Sequence, residues 1–182
     1  MSTSSSRLCP CTSTLPYAAC CGPLHRLERE AEDAPALVRS RYSAFALGEI
    51  EYLYRTLHSE HADKAQHARD RVLAALRAAS GALKYMGLTF LDQRTPVAGD
   101  ARGFAQVLYL ARVFRKGTDV SFLELADFER EPSELASGGA FRYLAGKVRD
   151  ASAGTSSSRV GLTIGAFEEE LAGSADAKPL EK

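Results

Sequence analysis

Apolar residues recur at helical intervals through the first part of the chain and at alternate positions through the middle. Val38, Tyr42 and Phe45 share one face, with Asp33 ahead of them, Pro35 at the start and Gly48 at the end. Those are the start and stop signals of a helix. Ile50, Leu53, Tyr54 and Leu57 predict a second, short helix. A third is predicted from Lys64 to Ala79, with Val72, Leu76 and Ala79 on its apolar face and Ser80-Gly81 as its stop. After Gly81 the period becomes two. Lys84 to Leu91 alternates loosely, and Phe104 to Phe114 predicts a long strand. Arg115 to Asp119 predicts a hairpin turn, and Val120 to Phe128 the return strand. Pro132 to Gly139 predicts a loop, and Phe141, Tyr143 and Leu144 a last strand. Helices followed by consecutive antiparallel strands make an α+β fold.

From Ala151 onward, 17 of 32 residues are Ala, Ser, Gly or Thr, so little core is expected there. Arg159 to Leu171 carries a short apolar pattern, a weak strand or helix within a tail expected to be mobile. The 182 residues carry 23 basic against 23 acidic side chains. That balance argues against bulk nucleic-acid binding. No apolar run is long enough to span a membrane, and the Ser/Thr-rich start lacks the apolar core of a signal peptide. A cytoplasmic chain is expected.

All four cysteines lie between Cys9 and Cys21, as Cys9-Pro-Cys11, eight residues, then Cys20-Cys21-Gly22. Two readings meet this spacing. One is a disulfide knot, which a reducing compartment disfavours and for which adjacent Cys20 and Cys21 are poor mutual partners. The other is a structural Zn2+ held by Cys9, Cys11, Cys20 and Cys21. The spacing resembles the SEC-C motif, a small zinc-binding element. That motif usually continues Cys-x-Cys-Gly-Ser-Gly and then basic residues, whereas here Thr12-Ser13-Thr14-Leu15 follows. The missing basic residues weaken any nucleic-acid role. With every position filled by sulfur, no open site is left for Lewis-acid catalysis.

The segment Leu37-Val38-Arg39-Ser40-Arg41-Tyr42-Ser43-Ala44-Phe45 and the later Tyr52-Leu53-Tyr54-Arg55-Thr56-Leu57-His58 resemble the YchJ-like family. Cys9-Pro-Cys11, Cys20-Cys21-Gly22-Pro23, Met86-Gly87-Leu88 and the strand Val107 to Phe114 fit as well. The resemblance implies a zinc element followed by a domain similar to nuclear transport factor 2. That domain is a cone of three helices on a curved antiparallel sheet, with a pocket inside. It implies a fold and no reaction. Against the family's His-Glu-x-Ser-x-Phe strand, this chain has Leu123-Glu124-Leu125-Ala126-Asp127-Phe128. Leu57 stands where relatives carry tryptophan, and no second cysteine motif follows the body.

The expected organisation is a disordered start over 1–8, a zinc element over 9–30, the α+β domain over 31–150 and the tail over 151–182. Candidate pocket residues are Arg39, Arg41, Tyr42, His58, Tyr109 and Glu124. One of the two arginines is expected to be buried and paired with a carboxylate such as Glu124, the alternative being an anion-binding role. His58, His61 and His67 with Glu60 and Asp63 read as a solvated helix end rather than a second metal site. The leading function is a small binding or adaptor protein, with a protein partner on the zinc element and a small ligand in the pocket. The competing one is an enzyme using His58 and Glu124 as acid and base. Oligomeric state is not specified by these residues.

Overall fold

The computed structural model describes residues 7–151 and 161–173. The expected disordered start falls mainly on 1–6, and much of the expected tail on 152–160 and 174–182, outside the described residues. The first helical elements described are a single 3-10 turn, Tyr17–Ala19, and a short helix α1, Gly22–His25. Helix α2, Ala34–Leu47, begins where the Asp33 carboxylate accepts from the Ala36 N–H at 2.7 Å. It ends at Gly48, as the sequence signals indicate. Helix α3 covers Ile50–Arg55.

The third expected helix is two. Helix α4 covers Ala62–Gln66 and α5 covers Arg69–Ala82, with His67 and Ala68 extended between them. Burial explains the break. Helix α4 buries no residue, whereas Val72, Leu73 and Leu76 of α5 pack against Ile50 and Leu53 of α3.

Five antiparallel strands follow: β1 Lys84–Arg94, β2 Ala105–Arg115, β3 Thr118–Asp119, β4 Phe122–Ser133 and β5 Ala136–Asp150. Their order is β1-β2-β4-β5, with β3 pairing β2. The predicted hairpin forms, turning on Lys116 and Gly117 at φ 49° and 87°. The loop expected over Pro132 to Gly139 shrinks to Glu134-Leu135, and the last strand is 15 residues long. Pro132 lies in the register shift between Glu131 and Ser133, where a missing N–H does not break the ladder.

Both faces of the sheet are covered. Val107, Ala111, Val113, Ala126, Phe128 and Phe141 pack against Leu37, Val38 and Tyr42 of α2. On the other face Leu108, Leu110, Leu123 and Leu125 lie under Ile164 and Phe167 of helix α6, Ile164–Gly173. This corrects the expectation that the chain after Ala151 adds little core, for Phe167 has no exposed surface. The Asp92 carboxylate accepts from the Ile164 N–H at 2.8 Å and so seats the first turn of α6 on β1. Among the described residues no helix is long and apolar enough to cross a membrane.

Candidate metal centre

Leu8 and Pro16 form an antiparallel bridge, tightened by Cys9 N–H to Leu15 O at 2.8 Å and Tyr17 N–H to Arg7 O at 2.9 Å. The resulting knuckle sets Cys9 and Cys11 against Cys20 and Cys21. Gly22 makes the approach possible, because a Cβ there would meet the Tyr17 carbonyl oxygen at 2.8 Å. Each cysteine is a free thiol. The four sulfurs lie within 4.8 Å of one another, with Cys11 to Cys20 at 3.5 Å and Cys20 to Cys21 at 3.8 Å. Sulfurs ~2.3 Å from a zinc ion stand about 3.8 Å apart in a tetrahedron, so the donor set and its spacing fit zinc. Among the described residues this is the one convergence of His, Cys, Asp or Glu ligand atoms.

The thiols also compete for protons. Hydrogen bonds from Cys21 and Cys9 draw the Cys11 thiol far down. Its hydrogen bond to Cys9 pushes that thiol up to about 11, and hydrogen bonding to Cys11 and Cys9 pushes Cys21 up as well. Four thiolates at this spacing repel one another, and a divalent cation is the natural replacement for the shared protons.

The knuckle is fastened to the body by polar contacts. Arg39 donates to the Cys11 carbonyl at 3.2 Å while its guanidinium lies 4.5 Å over Phe90. The Thr12 hydroxyl donates to the Leu88 carbonyl of β1 at 3.1 Å. Buried His25 joins the two parts: the Tyr17 hydroxyl meets its Nδ1 and the Ser40 carbonyl its Nε2, both at 2.9 Å. A carbonyl only accepts, so Nε2 carries the proton and Nδ1 accepts. Burial lowers the His25 pKa, which agrees with this neutral form. The sequence reading missed His25, although it lies four residues past Cys21 and so shares that face of α1.

Thr12 and Thr14 occupy the positions of the usual motif's glycines, and both have φ of 64°. Left-handed backbone costs a β-branched residue roughly 1–2 kcal/mol. Thr12 offsets this through its bond to β1, whereas the Thr14 hydroxyl reaches only the neighbouring Ser13 carbonyl at 2.6 Å.

The candidate pocket residues separate into distinct groups. Arg39 serves the knuckle. Tyr42 accepts from the Gly87 N–H at 2.8 Å and stacks edge-on to Tyr85, and burial pushes it up to about 12. Arg41 is buried and donates to the Leu53 carbonyl at 2.8 Å and the Thr56 hydroxyl at 2.7 Å. It lies 4.7 Å over the Tyr143 ring rather than in an ion pair with Glu124, which corrects the expected carboxylate pairing. Burial lowers its pKa. Glu124 accepts from the Tyr109 and Tyr143 hydroxyls at 2.5 Å and 2.7 Å. Burial first, and then Glu124, raises both phenols well above their usual range. Tyr143 thus sits between Arg41 and Glu124, a role its place in a predicted strand did not suggest. Exposed Gly146 packs against this group, where a Cβ would collide with the Tyr143 hydroxyl and a Glu124 oxygen.

His58 belongs elsewhere. Its Nδ1 accepts from the Glu60 N–H at 3.1 Å, and its Nε2 faces Glu131 at 3.5 Å and Glu129 at 3.9 Å. Its N–H donates to the Tyr143 carbonyl at 2.8 Å, pinning the end of α3 to β5. The side chains of His58 and Glu124 therefore have different partners, and only the His58 backbone N–H shares Tyr143 with Glu124.

Residues 33–146 match the family description "YchJ, middle NTF2-like domain". A UPF0225 protein of Deinococcus radiodurans is 52% identical over 52 residues, which span 29% of this chain and 40% of that protein. The UPF0225 protein YchJ of Shigella dysenteriae is 32% identical over 126 residues, 69% of this chain and 77% of that protein. A SEC-C motif containing protein from Rhodopseudomonas palustris, solved in solution, superposes with a TM-score of 0.61 at 28% identity over 77% of this chain and 97% of that one. A crystal structure of a SEC-C motif containing protein from Psychrobacter arcticus gives 0.62 at 26% identity, over 76% and 81%.

Proposed function

The chain belongs to the YchJ family, and on that footing we propose that it is a zinc-stapled binding protein of the reducing cytoplasm, an adaptor rather than an enzyme. The observation that carries this is the convergence of four free thiols on a knuckle bonded to both α2 and β1. Cys9, Cys11, Cys20 and Cys21 would hold the ion, and four sulfur ligands make such a site structural. When bound, zinc supplies the cross-link that the knuckle's few apolar contacts lack. The chain's own residues do the rest. His25, Arg39 and Thr12 orient the knuckle on the body, and Ser13 bonds the half-exposed Cys20 sulfur at 3.1 Å.

Within this reading a small ligand belongs to the α+β body, where Glu124, Tyr109 and Tyr143 form a buried carboxylate–phenol group packed against Gly146. Among the described residues no side-chain hydrogen bond joins His58 and Glu124, so the acid–base alternative has no such contact to support it.

Metal analysis of the purified full chain should find about one zinc per chain, lost in Cys11→Ser. Intact disulfides without metal would overturn the reading. Native mass spectrometry should show any co-purifying small molecule on the wild type and less of it on Glu124→Gln.

A further inference from the structure

The β1–β2 register pairs Lys84 with Phe114 and Tyr85 with Val113. Val113 joins the core on the α2 side, so alternation turns Phe114 and Lys84 to the opposite face, the one that carries α6. There, beside the Lys116-Gly117 turn, lies a cleft of about 440 Å³ lined by Lys84, Met86, Phe114, Lys116 and Gly117. Met86 sits on the bulge between Tyr85 and Gly87 and is 54% exposed. The floor is therefore a thioether and an aromatic ring, and the rim is cationic. Arg112 stands just outside this lining, paired with Gly87 on the register, its side chain 3.7 Å from where a Cβ on Gly87 would stand. Among the described residues Lys84, Arg112 and Lys116 take part in no ion pair within 4.0 Å. Asp119 is the carboxylate that senses Arg112, and it is held low first by its hydrogen bonds with Ser121.

The same face shows elsewhere what it accepts. Helix α6 sets Ile164 and Phe167 on leucines and pairs Glu168 with Arg94 at 3.0 Å and Glu170 with Arg149. An acidic segment with apolar anchors is thus held in cis, by an apolar floor with basic flanks. The cleft repeats that chemistry at the other end of β1 and β2. We propose that it docks an acidic, apolar-anchored segment of a partner protein. One large apolar side chain would rest on Met86 and Phe114, with carboxylates reaching Lys84, Arg112 and Lys116. This inference is independent of the metal.

The test is fluorescence anisotropy on the metal-replete full chain. The probe is a short labelled peptide of glutamates around one phenylalanine and one leucine, and the control carries lysines for glutamates. Saturable binding of the acidic peptide is expected, weakening with added salt, and none of the basic one. Lys84→Glu with Lys116→Glu should weaken it at least about tenfold, and Met86→Ser should weaken it too, with melting temperatures unchanged. Absence of saturable binding, equal binding of both peptides, or indifference to Lys84→Glu with Lys116→Glu overturns the proposal. So does displacement by a short oligonucleotide as effective as by unlabelled peptide, which would make the rim a general polyanion site.

Discussion

The two ends of the described chain grip the body by opposite means. The N-terminal knuckle reaches α2 and β1 through hydrogen bonds from Thr12, Arg39 and His25, and its own interior is sulfur. Helix α6 grips through Ile164 and Phe167 on a leucine floor, with ion pairs only at its margin. A polar attachment holds only while something inside the knuckle keeps its donors in place. An apolar attachment needs no cofactor and tolerates loss of any one polar contact.

The largest expected effect tests the first half of that contrast. Removing the metal, by chelation or by Cys11→Ser, should cost several kcal/mol and lower Tm by roughly 10–20 °C. Hydrogen exchange should show protection lost in α2 and β1 and kept in α6. If chelation frees the knuckle alone and leaves β1 protected, the two ends are equally detachable and the contrast fails. Next comes Phe167→Ala, expected to cost ~3–5 kcal/mol and to raise dye binding to exposed apolar surface while zinc content stays the same. A variant as stable as the wild type would mean that α6 merely rests on the sheet.

The two left-handed threonines give a finer comparison. Thr14→Gly removes strain and loses only a local bond, so urea denaturation should show a gain of about 1 kcal/mol. Thr12→Gly also loses the bond to Leu88, worth ~0.5–1.5 kcal/mol, and should come out near neutral. Equal gains would show that the Thr12 contact to β1 contributes nothing. The smallest effect belongs to the margin of α6, where Arg94→Ala should cost no more than about 1 kcal/mol, less at high salt.

The two ends also differed in how legible they were. Cysteine spacing marks a metal element because the ligand set is local, Cys9 to Cys21. Helix α6 has only Ile164, Phe167 and Leu171 to show, and its meaning depends on a receiving surface distant in sequence. The signal lay in the receptor: Val107 to Ala111 is apolar at every position, the mark of a strand covered on both faces. Helix α2 and the hairpin at Lys116-Gly117 followed from their own capping and turn residues. The break at His67 carries no Gly or Pro, and only the packing of α5 on α3 decides it. Within the candidate site, the four cysteines lie together, as their local spacing suggests. The scattered roles of Arg39, Arg41 and His58 follow from strand pairings that no local pattern encodes, such as the placement of Tyr143 against both Thr56 and Glu124.

The Thr12 contact also has a schedule. Its acceptor, the Leu88 carbonyl, lies 76 residues further along the chain. At ~5–20 residues per second of synthesis, the knuckle is made roughly 4–15 s before its anchor exists. All four sulfurs, and the proposed metal with them, can therefore assemble on a nascent chain with nothing yet to dock on. The body then folds onto a finished part, and α6 is synthesised after the strands of the sheet that receives it.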